Sequence, residues 1–129
     1  MAHPNEDLLR KGYAAFAAQD IPGLLSIWHP DITWTEGNHN ALTGTQKGSD
    51  EVLALLGKVS ALTDGTFALD IERVIADDSG AVVICNATAV RDGRSYAYRA
   101  AHVYRIENGK ATSFEEFGDD GRATDAIFA

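Results

Sequence analysis

The sequence predicts one α+β domain, with helices that precede a curved, antiparallel sheet. Three stretches with helical periodicity come first, and the third is "SDEVLALLGKVSAL". From residue 66 onwards, four stretches with strand character are separated by turn sequences such as "RDGR" and "ENGK". A chain of 129 residues suits one core. We therefore expect a single domain over residues 1–129, with its helices packed on one face of the sheet.

The composition and charge of the chain limit its possible partners. The net charge of −8 leaves no basic stripe that would neutralise phosphates, so it argues against nucleic acid and anionic membrane partners. Cys85 is the only cysteine, which excludes an internal disulfide and predicts a reducing, cytoplasmic compartment. The stretch "MAHPNEDLL" lacks the pattern of a signal peptide, and no apolar run approaches the ~20 residues of a membrane span.

The predicted helices have recognisable start signals. Asn5 is the predicted N-cap of the first helix, whose buried stripe includes Tyr13. Asp20 is predicted to cap a short second helix, with Pro22 in the first turn, where proline is tolerated. Ser49 is predicted to cap the third helix, which has acidic residues in its first turn.

A long loop follows the first predicted strand, which spans Ile32 to Glu36. This loop, "GNHNALTGTQKG", covers residues 37–48, and loops of such length often carry ligand contacts. Tight hairpin turns are predicted further on, at Asp92-Gly93 and at "ENGK". The tail "ATDAIFA" is expected to form a short helix or a covering arm.

Polar groups occur on apolar faces of the predicted strands. With a period of two, Trp34 and Glu36 share one face of the first strand. In "SYAYRAAHVYRI", His102 lies on the face of the tyrosines, either as a functional group or as a core histidine that a tyrosine hydroxyl satisfies. In "AVVICNATAV", Asn86 shares a side with Val82, so it needs a polar partner that is water, ligand or an ordinary core group.

The last predicted strand, "ATSFEEF", has a mixed pattern. Phe114 and Glu116 share one face, but the other face also holds a phenylalanine and a glutamate, so "EEFGDD" is equally typical of a solvated charged run. Glu36, His102 and Glu116 nevertheless come from three different strands, each with apolar neighbours on its own face. Converging titratable groups of this kind indicate a site.

No motif in the sequence indicates a cofactor. The four histidines are scattered, and the sequence contains no metal-ligand spacing, no glycine-rich phosphate loop and no nucleophile elbow. We therefore expect neither a metal site nor a cofactor. Cys85 lies in an apolar strand and is expected to be a core residue rather than a nucleophile.

The order of these elements resembles the nuclear transport factor 2-like superfamily and, within it, the SnoaL-like branch. The resemblance spans nearly the whole chain and rests on "YAAFAAQDIPGLLSIWHPDITW", "LTGTQKGSDEVLALL" and above all "YRAAHVYRIENGKATSFEEFGD". It implies a cone-shaped, curved antiparallel sheet packed by three N-terminal helices, with an interior pocket. It also implies a homodimer formed through the sheet, which agrees with the apolar residues on both faces of "AVVICNATAV".

Two enzyme patterns of this superfamily fall on residues of this chain. In ketosteroid isomerase a carboxylate base ends the first strand, which matches Glu36, and an acid that donates to the oxyanion matches His102. The isomerase's donor tyrosine falls at Gly12, so this part is missing, and its neighbour Tyr13 lies some 100° around the helix. The SnoaL-like polyketide cyclases use an acid in the last strand and a histidine in the strand before it, which match Glu116 and His102.

The resemblance implies a pocket of about 300–1,000 Å³ for a small apolar ligand. The favoured hypothesis is a cofactor-free isomerase or aldol-type cyclase, with Glu116 or Glu36 as base and His102 as donor or proton relay. Epoxide hydrolysis is disfavoured because residues 86–88 lack the Arg-x-Asp pair of limonene epoxide hydrolase. The alternative is a non-catalytic module that binds a small ligand or dimerises. The expected substrate-binding residues are Trp34, Asn86, Tyr98, Phe114 and Tyr13.

Overall fold

The computed structural model describes residues 2–129 as four helices and one curved, open sheet of six strands. The helices are α1 Pro4–Ala17, α2 Ile21–Ile27, α3 Ser49–Leu62 and α4 Gly121–Ile127. The strands are β1 Trp28–Glu36, β2 Gly44–Lys47, β3 Ala68–Asp77, β4 Gly80–Arg91, β5 Arg94–Glu107 and β6 Lys110–Gly118. The predicted α+β class is therefore confirmed, and the tail forms a fourth, short helix.

The sheet is mostly antiparallel, as predicted, but it contains one parallel pair. Its strand order is β2-β1-β6-β5-β4-β3, and β1 runs parallel to β6 while the other neighbouring pairs are antiparallel. The cause is the path of the chain, because α3 carries it from the β1–β2 edge to β3 at the far edge. The meander then returns strand by strand until β6 meets β1.

The predicted twelve-residue loop contains an edge strand. Residues 44–47 form β2, which pairs with the end of β1 and is mostly exposed. Its sequence, "GTQK", has no apolar alternation, so periodicity gave no signal for a strand. Residues 37–43 remain as the connection between β1 and β2, and they lie beside the end of β1 that carries Glu36.

Two of the three predicted helix caps are wrong by one or two residues. His3 caps α1, because its Nδ1 accepts from the Asn5 N–H at 3.0 Å. Gly48 is the N-cap of α3, and Ser49 is already helical. The predicted cap of α2 is confirmed, since Oδ1 of Asp20 accepts from the Gly23 N–H at 3.0 Å.

Both predicted hairpin turns are confirmed by their backbone angles. Asp92 and Gly93 have φ values of 53° and 76°, and Asn108 and Gly109 have values of 51° and 72°. Two consecutive residues with positive φ are the signature of a type I′ turn, which matches the twist of the flanking strands. These turns fix the registers of β4 with β5 and of β5 with β6.

The helices cover one face of the sheet, and the inward side chains alternate along each strand. On β5 the even-numbered residues from Tyr98 to Ile106 are buried, as predicted. On β4 the buried positions are the odd ones, which include Val83, Cys85 and Ala87. Cys85 is therefore a core residue, also as predicted. Among residues 2–129, no helix combines the length and the apolar character needed to cross a bilayer.

Candidate active site

A cavity, here named the chamber, lies between the helices and the inner face of the sheet. Seven of the eight predicted site residues line it, namely Tyr13, Trp34, Glu36, Tyr98, His102, Phe114 and Glu116. The enclosed part of the chamber has a volume of about 70 Å³. The enclosed part is smaller than expected, because aromatic side chains fill much of the space under the helices.

Asn86 does not line the chamber, so its predicted position on the inward face of the strand is wrong. It is exposed on the outer face of β4, and its Nδ2 lies 3.4 Å from Oε1 of Glu72. The error has a simple cause. The strand is apolar on both faces, so its sequence does not indicate which parity points inward.

The side chains of Tyr104, Tyr13, His102 and Glu116 form a hydrogen-bonded row, which is here named the relay. The hydroxyls of Tyr104 and Tyr13 are 2.9 Å apart, and the Tyr13 hydroxyl contacts Nδ1 of His102. On the other side of the ring, Nε2 of His102 lies 2.9 Å from Oε2 of Glu116. The side chains of His102 and Glu116 are only 4% and 11% exposed, so this contact is shielded from solvent.

Burial determines where the protons of the relay lie. Desolvation raises the pKa of both Tyr13 and Tyr104, so each phenol keeps its proton at neutral pH. When Tyr104 donates to Tyr13 and Tyr13 donates to Nδ1 of His102, the Nε2–H of His102 donates to Glu116. This tautomer is assigned from the hydrogen-bond pattern, and it gives every member of the relay a partner.

Strand register brings the two carboxyl groups to the same end of the chamber. His102 is directly opposite Glu116 in the β5–β6 ladder, and Trp34 is beside Phe114 in the β1–β6 ladder. Glu36 follows Trp34 by two residues, as Glu116 follows Phe114. Both glutamates therefore point inward from neighbouring strands, which a period of two predicted for β1 and left open for β6.

Glu36 is held as a neutral acid at the end of β1. Nε1 of Trp34 donates to its Oε1 at 3.2 Å. Burial, followed by the nearby charge of Glu116, raises the pKa of Glu36 from an ordinary value of 4.5 to about 8. At neutral pH this carboxyl group carries a proton and can donate a hydrogen bond into the chamber.

Aromatic rings form the wall opposite the helices. The rings of Trp34 and Phe114 stack with centroids 3.7 Å apart and planes at 15°. Trp28 meets Trp34 edge-on at 5.7 Å. Burial raises the pKa of Tyr98, so its phenol stays neutral beside the acids. The chamber thus combines an apolar body with one polar end.

Sequence reasoning missed part of the relay. Tyr104 shares the period-two face of His102, so a signal for it existed in the strand pattern. Tyr13 supplies a tyrosine hydroxyl to the site although the matching family position is Gly12. Phe128 also lines the chamber, but it follows α4 in a tail that has no periodic pattern.

Two openings adjoin the chamber. The first, the groove, has a volume of about 610 Å³ and lies between the α1–α2 region and α3. It shares seven mostly apolar lining residues with the chamber, namely Tyr13, Phe16, Leu24, Leu56, Val59, Phe67 and Leu69. The second, the cleft, has a volume of about 210 Å³ and shares Glu36, Leu42 and Glu116 with the chamber. Its other lining residues include Gly37, Asn38, Asn40 and Gly118.

Known proteins are similar to this chain over nearly its full length. The uncharacterized protein Rv0034 of Mycobacterium tuberculosis is 33% identical over 124 residues, which are 95% of each chain. Bal32a, from a soil-derived mobile gene cassette, has a TM-score of 0.94 and 26% identity over 98% of this chain and 97% of that one. TerC, crystallised with polyporic acid, has a TM-score of 0.86 and 26% identity over 98% and 100%.

A family description matches the part of the chain that builds the chamber. The model of the SnoaL-like domain covers residues 9–114, from the middle of α1 to the inward Phe114 of β6. The matched segment is well over half of the 129 residues. The chain therefore belongs to the SnoaL-like domain family, within the nuclear transport factor 2-like superfamily.

Proposed function

We propose that this protein is a cofactor-free isomerase or aldol-type cyclase that removes a proton next to the carbonyl group of a small, largely apolar substrate. The observation that carries the proposal is the 2.9 Å contact between Nε2 of His102 and Oε2 of Glu116 at the buried end of the chamber. A carboxylate that a histidine holds in position is an arrangement suited to general base catalysis.

The two glutamates suit different roles because their surroundings differ. Glu116 is paired with His102, whereas Glu36 meets only the indole of Trp34 and is kept protonated by burial. Two carboxyl groups in different surroundings are a common basis of paired acid and base roles. In this proposal Glu116 is the base and Glu36 is the hydrogen-bond donor.

The proposed step starts when Glu116 takes a proton from the carbon next to the carbonyl. The C–H bond breaks, its electron pair forms an enolate, and the enolate oxygen accepts a hydrogen bond from Glu36. In an isomerisation, Glu116 returns the proton to a different carbon. In an aldol-type closure, the enolate carbon attacks a second carbonyl carbon, and the resulting alkoxide takes the proton. Nothing is oxidised or reduced, so the step needs no cofactor.

The base and the hydrogen-bond donor are each expected to contribute to the rate by a typical amount. One positioned base contributes roughly 10²–10⁴-fold to the rate. A preorganised donor to the enolate oxygen adds about 3 kcal/mol of transition-state stabilisation. His102 holds the carboxylate of Glu116 in place through its own contact with Tyr13. TerC, a protein of similar fold, was crystallised with polyporic acid, which supports a search for small-molecule ligands.

Deuterium incorporation tests the proposal without knowledge of the natural substrate. The protein is incubated in D₂O with a panel of cyclic β,γ-unsaturated ketones and aromatic 1,3-diketones, and deuterium next to each carbonyl is measured by NMR. We expect incorporation above the uncatalysed rate with at least one compound, and a loss of about 10²-fold or more in Glu116→Gln. Glu107→Gln is the matched control, because Glu107 is exposed at the end of β5.

A non-catalytic binding module is the second candidate, and one observation favours it. The members of the relay satisfy one another, and among residues 2–129 every buried side-chain nitrogen and oxygen has a partner. A chamber of this kind also suits a ligand that is held without reaction. Compounds of the panel that bind tightly to the wild type but never acquire deuterium would favour this candidate over the enzyme.

A further inference from the structure

The two openings of the chamber differ in chemistry. The groove is lined mainly by large apolar side chains such as Phe16, Leu56 and Phe67. The cleft is lined mainly by glycine, asparagine and glutamate, and it includes Glu36 and Glu116 but neither tyrosine of the relay. The acids thus stand between an apolar opening and a polar one.

We infer that the cleft is a separate water path, through which Glu36 and Glu116 exchange protons with solvent while an apolar ligand fills the groove. The inference rests on the proposed function in one respect, namely that the ligand is apolar. A ligand in the groove expels water from the chamber on that side, so the acids would otherwise be cut off from solvent. The cleft has space for several water molecules, since each takes about 30 Å³ in the liquid.

The lining of the cleft suits ordered water. Asn38, Glu36 and Glu116 line it, so a water in the cleft would find two to four polar partners, whereas the Asn40 amide is already bonded to Asp125 and to the Leu42 N–H. Leu42 is buried and lines both the cleft and the chamber, as the two glutamates do, whereas Trp34 and Phe114 of the aromatic wall line the chamber alone.

Two glycines allow each opening to be closed separately. A Cβ at Gly37, which lines the cleft, would have no atom within 4 Å, and the same holds for Gly57, which lines the groove. Neither glycine has a positive φ, so a larger side chain is sterically acceptable at both. Gly37→Phe is the cleft-closing variant, and Gly57→Phe is the groove-closing variant.

The indole N–H of Trp34 reports water access to Glu36, because it donates to Oε1 of that residue. Its exchange with D₂O is followed by ¹⁵N NMR, and the indole of Trp28, which also lines the chamber, is the internal reference. We expect Gly37→Phe to slow the Trp34 exchange relative to Trp28 by about tenfold or more. Gly57→Phe and the smaller Gly37→Ala should leave this ratio within about twofold of the wild type.

The measurement does not depend on turnover, so it separates this inference from the proposed enzyme activity. An unchanged ratio in Gly37→Phe would overturn the inference, and so would a slower ratio in Gly57→Phe. Equal exchange of both indoles in all variants would mean that exchange requires global unfolding, which also contradicts an open path. If Gly37→Phe does not fold, Gly118→Val closes the cleft from β6, where a Cβ has only ordinary contacts at 3.8 Å.

Discussion

Tyr13 on α1 and His102 on β5 are hydrogen-bonded across the chamber, although 89 residues separate them in the chain. The same hydroxyl also meets Tyr104, so one side chain of the first helix joins two inward residues of the central strand. This contact contributes both to the packing of the fold and to the geometry of the candidate site. It fixes α1 on the sheet, and it sets the tautomer in which His102 faces Glu116.

Tyr13→Phe is expected to destabilise the protein, because Nδ1 of His102 and the Tyr104 hydroxyl both lose a buried partner. The expected loss in free energy of unfolding is about 1–3 kcal/mol, measured by chemical denaturation. Tyr96→Phe is the control, since Tyr96 is only half-buried on β5. Equal losses in both variants would show that the relay hydroxyl has no special structural role.

The inward face of β1 and β5 could be predicted from the sequence. Glu36 and His102 each continue a period-two line of large apolar residues, and the structure places both in the chamber with Glu116. Period two works for β1 and β5 because the helices cover only one face of the sheet, so polar and apolar positions separate. In β6 each face holds a phenylalanine and a glutamate, so the pattern alone left the inward face open. The register that brings the three together was not visible in any single strand.

Other features could not be predicted, for physical reasons that differ. In β4, Val82 and Val83 are equally apolar, so the parity that buries Val83 and exposes Asn86 had no signal. The strand β2 is polar on both faces because it lies at an exposed edge. The contact of Tyr13 with His102 depends on the rotation of α1, which is set by the packing of Gly12 against α2 rather than by local sequence.

Gly12→Ala is expected to destabilise the protein although alanine favours helices. A Cβ at Gly12 would lie 2.2 Å from Cδ1 of Ile27, so α1 and α2 would have to move apart or Ile27 would have to change rotamer. Overpacking of this kind costs about 1–3 kcal/mol. Gly57→Ala is the matched control in α3, where nothing lies within 4 Å, and it should stabilise by roughly 0.5–1 kcal/mol. Thermal unfolding that ranks the two variants the other way would contradict the packing of α1 on α2.

The protonation of Glu36 predicts a dependence of stability on pH. Its pKa is 4.5 in an ordinary environment and about 8 in the folded protein, so between these values the folded state binds more protons than the unfolded state. Stability therefore falls as pH rises through this window, and the loss is complete above the folded pKa. Glu36→Gln removes the penalty, so its free energy of unfolding should rise relative to wild type between about pH 5 and pH 9, by on the order of 3 kcal/mol.

The check is a pair of urea unfolding series over this pH range. Glu107→Gln serves as control, because Glu107 is exposed and its replacement should give a difference that does not vary with pH. The titratable groups that interact with Glu36, namely Glu116, Tyr98 and Tyr104, are the same in wild type and variant. A difference between Glu36→Gln and wild type that stays constant with pH would mean that Glu36 ionises normally in the folded protein.

The outer face of the sheet is predicted to form a homodimer. Its exposed apolar residues include Phe117, Val103 and Ile75, which are 56%, 38% and 50% exposed. Apolar sheet faces of this kind are usually covered by a partner. We expect light scattering to report a dimer at micromolar concentration and Val103→Glu to shift it towards monomer. Leu25→Glu, an equally exposed leucine on α2, should leave the dimer intact, and a wild-type monomer would refute the prediction.

The last prediction concerns which acid takes the proton. With any panel compound that incorporates deuterium, Glu116→Gln should lower kcat by roughly 10²-fold or more, because the amide keeps the shape of the carboxylate but cannot accept a proton. His102→Ala should lower kcat by a similar factor, and the double variant should lose little more, since residues that act as a unit are not additive.

Glu36→Gln is expected to behave differently, because an amide can still donate a hydrogen bond to the enolate oxygen. At neutral pH it should cost less than Glu116→Gln and act mainly on KM. Wild-type activity should decline above about pH 8, where Glu36 loses its proton, and this decline should be absent in Glu36→Gln. The pH profiles of kcat and kcat/KM measure both effects. An inactive Glu36→Gln beside an active Glu116→Gln would reverse the two roles and make Glu36 the base at the end of β1.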